Sequence, residues 1–170
     1  RSSELVRLGA IQRVVRAQRF QGPAHLAHFT LFGLVTAGRD TGDLRFERRC
    51  LVEHLRVLAD AVKAAGGERA QFRLTALAPR HASLIVEARE ALADRTDVQV
   101  LDDPERTTGR GYYTGLCFKL HLLTGDGEME IADGGFLDWT QKLLGNRKER
   151  LLTTGLGVDR LATLLPEAER

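Results

Sequence analysis

Apolar and polar positions follow two different periods along this chain. From residue 43 to about 65, Leu44, Leu51, Leu55, Leu58 and Val62 recur at three-, four- and seven-residue offsets. That spacing puts them on one stripe of a helix, and Gly66-Gly67 supplies the stop. Before it, residues 2–9 read as a short helix or its tail, and 11–18 as a strand. A loop over 19–27 holds Gly22 and Pro23, and a second strand spans 29–37, ending at the turn-prone 38–42. The two strands make a long hairpin. After the helix come a strand over 71–77, a helix over 79–93, a strand over 98–101 and a polar loop over 102–109. Strands over 112–123 and 128–132 are joined by Thr124-Gly125-Asp126-Gly127, a hairpin signal. Gly134-Gly135 breaks the chain before a helix over 137–144. A strand over 150–154, glycines and a helix over 158–165 finish it. Helices alternate with hairpins rather than with single parallel strands. The expected class is therefore α+β, a mainly antiparallel sheet flanked by helices.

Composition narrows the setting. At 170 residues and 43% hydrophobic, the chain fits one domain with a core of its own. No apolar run approaches the ~20 residues of a membrane-spanning helix, and no basic-then-apolar leader opens it. Cys50 and Cys117 are far apart without metal or disulfide spacing, which suits a reducing cytoplasm. The first residue is Arg1 and the only methionine is Met129, so a further N-terminal portion is expected. Net charge is only +2 and favours no partner. The basic residues, however, are 21 arginines against Lys63, Lys119, Lys142 and Lys148. Arginine is the side chain suited to planar, two-pronged contact with phosphate and carboxylate.

Three segments carry candidate chemistry. The first is Arg16-Ala17-Gln18, a loop, then His25-Leu26-Ala27-His28-Phe29. The second is Gly111-Tyr112-Tyr113-Thr114-Gly115 with Phe118, followed by Gly134-Gly135. The third is Thr154-Gly155-Leu156-Gly157-Val158-Asp159-Arg160-Leu161, a glycine-rich strand end opening a helix. In this order they resemble motif 2, the Tyr-Tyr-Thr signature and motif 3 of class II aminoacyl-tRNA synthetases, closest to the histidyl-tRNA synthetase branch. The resemblance covers most of the chain as a single catalytic core running from motif 2 to motif 3, with motif 1 lying before residue 1.

That resemblance implies an amino-acid-activating ligase that uses ATP and Mg2+. The amino-acid carboxylate attacks the α-phosphate, and the acyl group then passes to tRNA or another carrier. Charge builds on phosphate in the transition state, so fixed cations matter most. Arg16 matches the residue bridging α-phosphate and substrate carboxylate, and Arg160 the one lying on adenine and the terminal phosphate. The two are expected to converge on one nucleotide. Phe29 would stack on the base, His25 would reach the terminal phosphates, and Gly155 and Gly157 would let the nucleotide approach the backbone. Tyr112 and Tyr113, consecutive in a strand, would face opposite sides, one of them lining the substrate pocket. Glu130, sharing a face with Glu128, is the candidate carboxylate for the substrate ammonium. A homodimer and no membrane partner are expected by analogy.

Departures from the pattern are as informative. Gln18 replaces a glutamate. Thr108 stands at the offset of the catalytic arginine, with Arg110 two residues closer as a substitute. Leu31 and Val35 occupy the positions that read histidine, and Gly134-Gly135-Phe136-Leu137-Asp138 replaces Gly-Gly-Arg-Tyr-Asp. Apolar side chains leave an imidazole's polar atoms unpaired, so histidine is not the expected substrate. Loss of these groups also fits a non-catalytic paralogue such as the regulatory subunit of ATP phosphoribosyltransferase. A core fragment of a larger synthetase is the third reading.

Overall fold

The computed structural model describes residues 4–15, 28–125 and 127–164. Seven strands form one sheet: β1 (Val6–Val15), β2 (His28–Arg39), β3 (Ala70–Ala76), β4 (Val98–Asp102), β5 (Thr114–Thr124), β6 (Gly127–Leu137) and β7 (Glu149–Gly157). Their spatial order is β1-β2-β7-β6-β5-β3-β4, and every neighbouring pair is antiparallel except β3 with β4. The helices are α1 (Arg45–Ala64), α2 (Ser83–Ala91), α3 (Trp139–Leu144) and α4 (Val158–Ala162). The α+β class with a mainly antiparallel sheet is therefore the observed one. Among the described residues no helix is long and apolar enough to cross a membrane.

The helical stripe read from the sequence is what anchors α1. Leu51, Leu55, Leu58 and Val62 are buried against the sheet, each removal from water worth roughly 1.5–3 kcal/mol. They meet Phe72, Leu74, Leu116, Phe118, Leu120 and Leu122, alternate residues of β3 and β5, as strand geometry requires. This helix-covered face is the core. Asp43 and Leu44 have φ of 54° and 52°, a left-handed pair that turns the chain into α1 and delays its start to Arg45.

Four local expectations are corrected. Residues 6–9 are not a helix tail but the start of β1, whose ten-residue ladder runs from Val6↔Ala37 to Val15↔His28. Backbone pairing along β2 outweighs the local helix preference there. Tyr112 and Tyr113 precede β5 instead of starting it. Gly134-Gly135 lies inside β6 and does not end the strand. Gly155 and Gly157 also belong to a strand, β7.

The glycine pair stays in the strand because it is packed from both sides. A Cβ on Gly134 would lie 2.5 Å from Phe118 Cζ and 2.8 Å from the Thr153 carbonyl oxygen. On Gly135 it would lie 2.6 Å from the Tyr113 ring. Phe118 belongs to the helix-covered face and Tyr113 to the other, so the dipeptide seats one ring on each.

His54 of α1 ties the helix to the sheet through polar contacts. Its Nε2 lies 2.9 Å from Thr36 Oγ1 and its Nδ1 2.8 Å from Thr154 Oγ1. Burial lowers its pKa to about 4, so the imidazole is neutral in the fold while the unfolded chain titrates near 6.5. Below that value the unfolded state takes up a proton that the folded state does not, and stability falls as pH falls. Between pH 6.5 and 5 the expected loss is about 2 kcal/mol. His81 and His121, also lowered by burial, add to it with the same sign. Urea titrations at the two pH values measure it. A slope that His54→Gln leaves unchanged would assign the effect elsewhere.

Candidate active site

Alternation along the strands defines a second face, away from α1 and α2. Phe29, Leu31, Gly33 and Val35 of β2 stand on it, with Gly155 and Gly157 of β7 beside them in the ladder pairs Leu31↔Gly157 and Gly33↔Gly155. Next along the sheet comes Asp133↔Gly155, then Lys119↔Asp133 and His121↔Glu130. Glycines thus floor the middle of this face. A Cβ on Gly33 would meet nothing nearer than the Ala10 carbonyl oxygen at 3.8 Å. On Gly155 it would come within 3.3 Å of the Leu31 side chain, so Leu31 leans over that glycine.

Arg160 is positioned by the turn from β7 into α4. Its Nη1 donates to the Glu130 carbonyl oxygen, and its Cδ would be 3.7 Å from a Cβ on Gly157. Asp159 beside it accepts from the Thr30 amide, fixing α4 against β2. These contacts bring Arg160, Gly157, Leu31 and the backbone of Glu130 to one end of the sheet, and Phe29 stands on β2 next to Thr30. The Glu130 carboxylate accepts from Lys119 Nζ at 2.7 Å, and Glu128, on the same face, pairs with Arg73. The shared face expected for Glu128 and Glu130 is present. Arg16 and His25 lie outside the described residues.

The segment between β4 and β5 covers part of this face and supplies the arginine that the motif comparison passed over. Arg106, with its side chain only 2% exposed, donates from Nη2 to both oxygens of Asp133 at 2.9 and 3.1 Å. Its Nε donates to the Thr108 carbonyl oxygen at 2.7 Å. Its guanidinium carbon lies 5.7 Å from the centre of the Tyr113 ring, within cation–π range. Arg106 Nη1 has no partner among the described residues. The Tyr113 hydroxyl is pushed well above its usual pKa by burial and by the Asp133 charge, so it is a neutral donor at pH 7.

Arg110 turns the other way. It is exposed, and its Nη1 donates to the carbonyl oxygens of Arg106 and Pro104 at 3.0 and 3.3 Å. The signal for Arg106 in the sequence was an arginine beside the Thr108 position, two residues before it. What the sequence lacked was the left-handed Gly109 (φ 75°), which lets the chain fold back.

Tyr112 and Tyr113 do not face opposite sides. Outside a strand, their rings meet edge to face at 4.9 Å, and Tyr112 meets Trp139 at 5.7 Å in the same manner. Tyr113 lies over Gly135, while Tyr112 is half exposed. Both cysteines are buried with free thiols, Cys50 pushed up to about 12 by burial and Cys117 raised for the same reason. Neither is an activated nucleophile.

No protein-family model matches the sequence, and no characterised protein matches it by sequence. Solved structures do match in shape. Apo histidyl-tRNA synthetase from S. aureus superposes with a TM-score of 0.71 at 17% identity, covering 96% of this chain and 45% of that one. An ATP phosphoribosyltransferase regulatory subunit/histidyl-tRNA synthetase from Bacillus halodurans gives 0.64 at 16% identity, covering 95% and 59%. A histidine–tRNA ligase subunit from Alicyclobacillus acidocaldarius gives 0.63 at 15%, covering 98% and 71%. The chain therefore spans about half the length of the first two. It thus has the fold of these histidyl-tRNA synthetase structures, the class II synthetase-like α+β fold expected from its sequence.

Proposed function

We propose that this protein binds ATP on the glycine-floored face and activates an amino acid as its adenylate. Transfer would follow to tRNA or to another carrier, by a homodimer in the cytoplasm. The observation that carries the reading is the placement of Arg160. Its guanidinium is anchored on the Glu130 carbonyl oxygen at an end of the sheet where Gly157, Leu31 leaning over Gly155, and Phe29 form an apolar floor. A ring stacked between an aromatic side chain and a guanidinium needs little specific hydrogen bonding, and an oriented cation needs no reorganisation when charge develops on phosphate.

Among the described residues no three His, Cys, Asp or Glu side chains gather as a metal cage. Mg2+ would arrive carried by the triphosphate, as is usual for this ion. Arg16 and His25 complete the phosphate contacts in this reading. Glu130, which also accepts from Lys119, is the carboxylate that would meet a substrate ammonium, while Asp133 is engaged by Arg106 and, with Tyr113, shapes the wall beside it. Leu31 and Val35 on the same face favour an apolar or small substrate over histidine.

Pyrophosphate exchange measured across the amino acids tests the reading. Exchange with at least one is expected, and Arg160→Ala is expected to reduce it ~100-fold, the order lost with one transition-state contact. Absence of exchange with every amino acid, together with absence of ATP binding, would remove the proposal.

A second reading is a non-catalytic regulatory subunit of ATP phosphoribosyltransferase. The neutralisation of Arg106 by Asp133, the threonine at position 108 and the likeness to the Bacillus halodurans protein favour it. Co-purification with a phosphoribosyltransferase catalytic subunit, without exchange activity, would decide for it.

A further inference from the structure

β1 is the outermost strand at one end of the sheet, and among the described residues it pairs only with β2. Its ladder runs from Val6 to Val15 without a bulge, so one whole side of a ten-residue strand has no neighbour. Along such an edge alternate residues point an N–H and a C=O away from the sheet. The side chains are as open as the backbone. Val6, Leu8, Ile11 and Val15 are each more than half exposed. Natural edges are blunted by proline, lysine, a bulge or a charge turned inward. β1 carries no proline, no lysine and no bulge, and its Arg7 turns to Glu53 of α1 instead of guarding the edge. It is built to be paired.

We propose that this edge binds a second copy of itself, β1 against β1, antiparallel about a two-fold axis that passes at Ile11 and stands perpendicular to the sheet. Charge and length select that register. Centred on Ile11, residues 7–15 form the ladder, with Leu8 opposite Val14, Arg7 opposite Val15 and Arg13 opposite Gly9 of the other copy. No like charges face each other, and Glu53 already answers Arg7 at 2.8 Å. Centred on Ala10, Arg7 would face Arg13 at both ends of the ladder, a destabilising pair. Centred on Gln12, only residues 9–15 would pair.

A perpendicular axis sets residues of the same face against each other, so the helix-covered sides of both copies lie together and the two seven-stranded sheets become one. On the opposite side Leu8, which stands beside Val35 in the ladder, meets Val14 of the other copy, and the apolar row of the glycine-floored face crosses the junction. The two-fold also closes the assembly, because each β1 is used once. Pairing β1 with the far edge β4, only five residues long, would leave free edges and run on as a filament. The pairing deepens the proposed reading, on whose homodimer it rests, by naming the surface that joins the copies.

Sedimentation equilibrium of the intact protein at micromolar concentration tests it. A dimer is expected, weakened roughly tenfold or more by Ile11→Lys, which brings two ammonium groups together on the axis. Val57→Lys, a change at an exposed position of α1, should leave the dimer intact. A second readout decides the matter where Ile11→Lys lowers stability. Cys50 and Cys117 are buried, so an introduced surface cysteine is the thiol that a short bis-maleimide reaches. Ile11→Cys should be bridged to itself across the axis. Leu8→Cys should not, since its copy lies six residues along the neighbouring strand, ~20 Å away. A monomer at every concentration, a dimer indifferent to Ile11→Lys, or a dimer in which Ile11→Cys stays unbridged overturns the proposal. Pyrophosphate exchange is measured separately, so a monomer with full exchange would sink the pairing and leave the activity standing.

Discussion

Replacing Asp133 with alanine is expected to destabilise the protein by about 2 kcal/mol, below the range found for a fully buried ion pair because Asp133 itself is 39% exposed. Arg106 is the reason. Its side chain is 2% exposed, its Nη1 already has no partner among the described residues, and Asp133 takes both bonds from Nη2. Without that carboxylate the guanidinium stays buried beneath Tyr113 with its charge uncompensated, solvated only by water entering where the 39% exposed Asp133 stood. Arginine cannot escape by losing its proton. The second change Arg106→Met should recover at least half of the loss, because an apolar side chain of similar reach has no charge to desolvate. Urea unfolding of the two variants gives both numbers and their coupling. A loss under about 1 kcal/mol for Asp133→Ala would mean that the entering water solvates Arg106 almost fully.

Gly134→Val is the other large expected effect, at least about 3 kcal/mol and near the upper end for overpacked interiors. The Cβ alone would sit 2.5 Å from Phe118 Cζ and 2.8 Å from the Thr153 carbonyl oxygen. Phe118 could rotate away only into a core already filled by Phe72, whose ring meets it edge-on at 6.3 Å. The carbonyl belongs to β7 and moves only with the ladder. Trimming the ring with Phe118→Leu should therefore restore little, since the backbone clash remains. Gly33→Ala is the comparison. It lies in β2, on the far side of β7, where a Cβ would make only an ordinary 3.8 Å contact with the Ala10 carbonyl oxygen, and should shift the thermal midpoint hardly at all. A midpoint for Gly134→Val equal to that of Gly33→Ala would contradict the packing described for β6.

Much of the fold was legible because its signals were periodic. Leu51, Leu55, Leu58 and Val62 fixed one long helix and its buried face, and Thr124-Gly125-Asp126-Gly127 fixed the β5–β6 hairpin. Errors came where glycine carried two meanings. Gly134-Gly135 reads locally as a break, yet it sits in mid-strand because Phe118 and Tyr113 press on it from opposite sides, contacts made by residues distant in sequence. Residues 6–9 read as helix for the same kind of reason, since the ladder to β2 is invisible to local preference. For the site, spacing put Gly155, Gly157 and Arg160 in one short segment, and the turn from β7 into α4 packs Arg160 beside Gly157. It passed over Arg106, because the role of an arginine two positions outside a familiar offset depends on the backbone reversal at Gly109. It also put Tyr112 and Tyr113 in a strand, and so on opposite faces, where the loop brings them together.

The pairing of β5 with β6 slips by one residue between Leu120↔Ala132 and His121↔Glu130, leaving Ile131 without a counterpart. In an unbroken strand, positions 130 and 133, an odd number apart, would project to opposite sides. The extra residue reverses the parity, so that Glu130 and Asp133 share one surface with Lys119 while Met129 still packs on the core. Excising Ile131 would regularise the ladder and leave Glu130 and Asp133 on the same surface, whereas a straight ladder that kept Ile131 would turn one end of the strand over, expelling Met129 into water or driving an acidic group inward. By absorbing one residue, the bulge thus sets how many negative charges that surface displays.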